Sequence, residues 1–218
     1  MLNLYTRVLS RISIKKSTVI HLILLNIIIF LISVFTANLD FGSLPGCSAT
    51  PWQVLTGTGV SSLQCDLGQV NYLVIHDHFY WQLVTSIFVH FGYIHIALNM
   101  IALFYFGFII EANYGRKNLL IIFFLSGIIG NIASLFLLPL IFSDEGLYII
   151  SGGASGAIFG LIGAYAVLGK ISGSFLSAIL YVIIIFITSS IIPGVNIIAH
   201  LFGLISGGII AYTRMKYH

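Results

Sequence analysis

Ser155 and His200 supply a hydroxyl and an imidazole, the pair needed for nucleophilic attack with proton transfer, and they lie on two separate apolar segments of a 218-residue chain. The segment opened by Ser155 runs to Lys170, and the one with His200 near its start runs to Arg214. At roughly 1.5 Å of rise per helical residue, each side chain lies about 21–23 Å from the charged end of its segment. In a hydrocarbon core roughly 30 Å thick, both then sit about 8 Å below the opposite surface. A nucleophile and a base at one depth predict chemistry inside the bilayer.

The surroundings of each residue suit that chemistry. Gly152, Gly153, Ala154, Gly156, Ala157 and Gly160 flank Ser155, so a peptide or another helix can approach the backbone closely. A serine at a helix N-terminus also lies among unpaired N–H groups at the positive end of the dipole, where an oxyanion is stabilised. On the other segment His200, Gly203, Gly207 and Ala211 recur at spacings of three and four, giving one face an imidazole followed by a smooth groove. His90, His95 and Asn99 lie at a similar level in an earlier apolar run, with His95 and Asn99 on one helical face. An Asn amide and a His N–H aimed at one point would stabilise a tetrahedral oxyanion. Close helix packing and interhelical hydrogen bonds are the alternative use of all these residues.

The elements that must position them are membrane helices. The composition is 59% hydrophobic and 7% charged, whereas a soluble domain carries about 25% charged residues. Uncharged runs at 17–39, 78–110, 118–143, 146–169 and 171–213 predict an all-α polytopic bundle of six helices, approximately 18–37, 88–110, 118–140, 154–169, 174–191 and 197–213. The last run divides at Ser189, Ser190, Pro193, Gly194 and Asn196. With six spans, all nine Lys and Arg (Arg7, Arg11, Lys15, Lys16, Arg116, Lys117, Lys170, Arg214 and Lys216) fall on one side. Asp40, Asp66, Asp77, Asp144 and Glu145 fall on the other, and Glu111 alone joins the basic side. This predicts a multi-pass cell-membrane protein with both termini cytoplasmic.

The expected organisation is a cytoplasmic segment 1–17, a membrane domain 18–214 with an outer loop at about 38–80, and a tail 215–218. The first apolar run has span length and no small-residue cleavage site, so it reads as a signal anchor. Trp52, Tyr72, Phe79, Tyr80 and Trp81 suggest that part of the outer loop lies at the headgroup level. Cys47 and Cys65, the two cysteines, both fall in that loop, where the outward compartment permits either a disulfide or two free thiols.

Several function classes are disfavoured. The net charge of +3 is a topology signal, and no basic stripe with interleaved aromatics points to nucleic acid. A coupled transporter or an aspartyl intramembrane protease needs a carboxylate in mid-membrane, which every uncharged run lacks. A zinc protease needs a pattern such as His-Glu-x-x-His, also absent. His76-Asp77-His78 offers too few ligands for a metal site, so no metal or other cofactor is expected.

Four motifs in order resemble the rhomboid intramembrane serine proteases over approximately 79–214. They are His90-x4-His95-x3-Asn99, Gly107-x3-Glu111-x3-Gly115, Gly153-Ala154-Ser155-Gly156, and Ala199-His200-x2-Gly203-x3-Gly207. The resemblance implies a Ser155–His200 dyad without a carboxylate, and an oxyanion hole of His95, Asn99 and the Ser155 N–H. It implies single-pass transmembrane proteins as substrates, cut near the outer face with small residues before the scissile bond and helix-weakening residues after it. Two positions depart from the family pattern. Phe159 stands where many bacterial members carry a tyrosine against which the catalytic imidazole stacks, which keeps the stacking face. Trp81-Gln82 stands where Trp-Arg is frequent, which removes a charge from the outer loop. The alternative is a catalytically silent member that binds membrane-protein clients, a class that usually loses the serine or the histidine; both are present here.

Overall fold

The computed structural model describes residues 17–37, 62–171, 173–192 and 194–215. Arg7, Arg11, Lys15, Lys16, Asp40, Cys47, Trp52, Pro193 and Lys216, which carry parts of the orientation, disulfide and break arguments, lie outside the described residues. The architecture is a helical bundle. Its elements are α1 (Thr18–Ala37), α2 (Ser62–Leu67), β1 (Gln69–Val70), α3 (Asn71–His76), α4 (Gln82–Thr85), a 3-10 turn (Ser86–Phe88), α5 (Tyr93–Phe142), α6 (Glu145–Tyr148), β2 (Ile150–Ser151), α7 (Ser155–Ile171), α8 (Phe175–Ser190) and α9 (Ile197–Met215). Among the described residues, three helices are long and apolar enough to cross a membrane, at Thr18–Thr36, Tyr93–Phe142 and Ile197–Arg214, and two shorter apolar ones lie at Ser155–Lys170 and Phe175–Ser190. Leu31, Phe35, Phe136, Leu140 and Leu176 project outward with more than half their surface uncovered, an arrangement that lipid tolerates and water does not.

The 50-residue α5 is two limbs joined at Gly115, whose φ of +78° and ψ of 167° redirect the chain. No atom would meet a Cβ there within 4 Å, so backbone conformation and not space requires glycine. One turn earlier, the buried Glu111 carboxylate accepts from Ser17 Oγ (2.5 Å), Thr18 N (2.8 Å) and Val19 N (3.4 Å). It thereby caps the start of α1, where free N–H groups and the helix dipole favour an anion. Gly107 lets that start approach, since a Cβ there would lie 2.9 Å from Val19 Cγ2. The spacing Gly107-x3-Glu111-x3-Gly115 thus combines a close approach, a cap and a bend.

Two boundaries differ from expectation. The helix expected from residue 88 begins at Tyr93, because Ser86–Phe88 form a 3-10 turn and Val89 (φ −86°, ψ 128°) and Gly92 (φ 174°) are extended. Two carbonyls in this stretch are bound by distant parts of the chain, Ser86 O by Gly153 N–H and His90 O by the Gln64 amide. Residues 62–85, within and beyond the expected outer loop, carry three short helices. They are held by β1 pairing antiparallel with β2, Gln69 opposite Ser151 and Val70 opposite Ile150.

α7 packs against α5, α8 and α9. Its 17 residues span only about 25 Å, less than a hydrocarbon core, so its N-terminus lies below one surface. Against α9 the contact is backbone on backbone. A Cβ at Gly203 would overlap the Gly156 carbonyl oxygen, one at Gly207 the Gly160 carbonyl oxygen, and one at Gly163 the Leu204 carbonyl oxygen. Without a hydrophobic driving force between helices in lipid, such close van der Waals contact is the main attraction available.

Candidate active site

The loop before α7 is shaped by the extended stretch that precedes α5. Gly153 N–H donates to Ser86 O at 2.9 Å, and a Cβ at Gly152 would lie 3.0 Å from Val89 O. Ala154 N–H donates to His90 Nε2 at 3.5 Å, and His90 Nδ1 lies 3.3 Å from Phe88 O. With Phe88 O as acceptor, Nδ1 carries the proton and Nε2 is the acceptor, so His90 is the neutral Nδ1–H tautomer. His90 is fully buried and is consumed as a bracket for the residue preceding Ser155. It lies outside the helix that carries His95 and Asn99, contrary to the expectation that all three share a span. Gly153 has φ +128°, a left-handed conformation that an L side chain rarely adopts, so the turn into Ser155 requires this glycine.

Ser155 and His200 both line one cavity of about 200 Å³, together with His95, Asn99 and Phe159. The His200 ring stacks on Phe159, centroids 4.2 Å apart at 25°, and Phe159 meets Phe186 edge-on at 5.8 Å. His200 is 4% exposed, and its Nδ1 has no hydrogen-bond partner among the described residues. Among the described residues, the Phe159 face is what the ring packs against. No hydrogen bond joins Ser155 to His200 among the described residues. Catalytic hydrogen bonds are often long in an unliganded site and tighten when a substrate is bound.

His95 and Asn99 come to the same cavity from α5. The position a Cβ would take at Gly153 is 2.9 Å from His95 Nε2 and 3.7 Å from Ser155 Oγ, so both groups flank the same glycine. Asn99 Nδ2 donates to His95 O at 2.9 Å, and its buried Oδ1 has no partner among the described residues. An unpaired buried polar atom costs about 1–3 kcal/mol, and active sites are where such groups are retained. Gly203 is placed one turn beyond His200, where a Cβ would run into the Gly156 carbonyl oxygen of α7.

Further polar residues, at the cavity or in the chain around it, have contacts that the sequence did not reveal. Asn196 caps α9, its Oδ1 accepting from Ala199 N and from Ser134 Oγ at 3.1 Å each, and its Nδ2 donates to Ser151 Oγ at 3.3 Å. An Asn four residues before the histidine, at a helix start, was the available signal. Gln64 and Asn131 grip the stretch 86–90 from opposite ends, through His90 O and Ser86 Oγ. Gln82, at the position of the expected lost charge, is fully buried and accepts from Val70 N (2.9 Å) while donating to Cys65 O (3.0 Å). Cys65 is disulfide-bonded, and Cys47, the other cysteine of the chain, lies outside the described residues. His76 and His78 stay away from the cavity, His76 against Tyr72 and His78 with the Tyr80 hydroxyl at 2.9 Å.

A helical bundle with outward apolar faces and a mostly apolar cavity lined by a serine and a histidine defines an integral membrane protein. The Rhomboid domain matches residues 77–217. YdcA of Bacillus subtilis (strain 168), which carries a rhomboid-protease name, is 32% identical over 182 residues, 81% of this chain and 82% of its own length. RHOMBOID-like protein 1 of Arabidopsis thaliana is 30% identical over 210 residues, 88% of this chain and 51% of that protein, so the chain spans about half of this plant relative. Rhomboid protease GluP of Bacillus subtilis (strain 168) is 41% identical over 85 residues, 39% of this chain and 15% of that protein. The chain belongs to the rhomboid family.

Proposed function

We propose that this rhomboid is an active serine endopeptidase that cuts transmembrane segments of single-pass membrane proteins near the outer face. Ser155 is the nucleophile and His200 the base. The observation that carries the reading is the stacking of His200 on Phe159, one turn after Ser155, with serine and imidazole lining one cavity. Neutral His200 takes the Ser155 proton as Oγ attacks the substrate carbonyl, then gives it to the leaving amine. Water follows the same path to hydrolyse the acyl-enzyme. His95 and Asn99 donate to the oxyanion, together with the Ser155 N–H at the start of α7. Six crossings put both termini in the cytoplasm and the cavity towards the outer surface, in accord with the charge distribution.

Reconstitution with a single-pass test substrate, carrying a small residue followed by a helix-weakening segment near the outer face, tests this reading. One cut at that segment, read by mass spectrometry and lost in Ser155→Ala, is expected. Product that persists in Ser155→Ala rejects the serine. No product from folded wild type shifts the reading to the client-binding alternative.

A further inference from the structure

We propose that Gln64, in the rim formed by residues 62–91, is a positioning residue for the serine loop, an inference that rests on the reading of Ser155 as nucleophile. Gln64 is 3% exposed and its Nε2 donates to His90 O at 2.8 Å, across 26 residues of chain. The acceptor lies in the extended stretch before α5, where no following helical turn is present to bind it. From there the linkage is short. The His90 ring, anchored on its own side by Phe88 O, receives Ala154 N–H, and the next residue is Ser155. Gly153 N–H is held by Ser86 O in the same stretch, whose far end Asn131 fixes through Ser86 Oγ and Leu83 O, both at 2.9 Å. The serine loop therefore hangs on a rail gripped by one amide at each end, and Gln64 is the grip beside His90.

Gln82 provides the contrast. Its hydrogen bonds go to Val70 N, Cys65 O and Asp66 O, all within the rim, and none reaches the rail. Loosening Gln82 weakens the rim as a body, whereas loosening Gln64 frees His90 and with it the peptide before the nucleophile. A displacement of about 1 Å at a reacting group lowers rates by up to roughly a hundredfold.

The test uses the full-length protein in detergent, with Gln64→Met and Gln82→Met beside wild type. Two readouts are taken: fluorophosphonate labelling kinetics, and hydrogen exchange of peptides covering 152–155. Gln64→Met is expected to lower the maximal labelling rate roughly tenfold or more, leave the probe concentration at half-maximal rate unchanged, and speed exchange in the serine loop. Gln82→Met is expected to lower the melting temperature and keep the wild-type labelling rate. Unchanged labelling and exchange in Gln64→Met overturns the proposal, as does an equal loss in both variants. If Gln64→Met does not fold, Gln64→Asn, whose amide is one methylene too short to reach His90 O, is judged by the same two comparisons. A wild type that fails to label, with serine-loop exchange still accelerated by Gln64→Met, overturns the protease reading and leaves the positioning role intact.

Discussion

Between α7 and α9 the backbones touch through glycines, whereas the stretch 62–91 that holds the serine loop is itself tied together by side-chain amides. Both arrangements hold a reactive residue in place. In lipid, a seam of Gly156, Gly160, Gly203 and Gly207 is effective because removing side chains lets many weak contacts form at short range. In the rim the chain is irregular, so its buried carbonyls and N–H groups need partners that helices would otherwise supply. Gln64, Gln82 and Asn131 provide them. A side chain at Gly203 or Gly207 would run into a carbonyl oxygen of α7, and a lost amide in the rim would leave a buried backbone group unpaired.

Variants that change the chemistry set the upper end of the comparison. Ser155→Ala and His200→Ala should each lower turnover by roughly 10⁴-fold or more with the melting temperature nearly unchanged, as measured by substrate cleavage and thermal unfolding. Asn99→Ala, which removes one oxyanion donor, should lower kcat by about 10²–10³-fold and leave measurable activity. Gly203→Val pushes a side chain into the Gly156 carbonyl, and should destabilise the bundle by about 1–3 kcal/mol or more and reduce activity with it. A Gly203→Val protein with wild-type stability and rate would remove the distinction between seam and rim. Acidification should reduce the rate about tenfold per pH unit once His200 is protonated, because the imidazolium cannot accept the serine proton. A rate that does not fall over the pH range in which NMR of the imidazole shows His200 becoming protonated contradicts histidine base catalysis. At the small end, Gln82→Ala strands the buried Val70 N–H and should cost about 1–3 kcal/mol of stability, read by thermal unfolding, with little change in kcat.

The seam was readable from the sequence and the rim was not, for a physical reason. Helical spacing is periodic, so Gly203 and Gly207 following His200 announce a smooth face before any partner is known. Depth is readable too, since counting residues from Lys170 and Arg214 requires only the helical rise. The start of α5 is different: a run from 88 onward is apolar enough to be helical, and what makes 89–92 extended is that distant groups bind the stretch. Local propensity carries no information about Gln64, 26 residues away from the carbonyl it binds. For the same reason Gln82 read only as a missing charge, although burial turns its neutral amide into a three-way clamp. Tyr93 as the first helical residue separates His90 from His95, which spacing by five could not reveal.

The central claim, that Ser155 is an activated nucleophile served by His200, is tested most directly by fluorophosphonate labelling of the detergent-purified protein beside Ser155→Ala and His200→Ala, since the experiment requires no known substrate. Labelling of the wild type that disappears in both variants is the predicted result. A folded wild type that does not label, or a His200→Ala protein that labels as fast as wild type, would contradict the account.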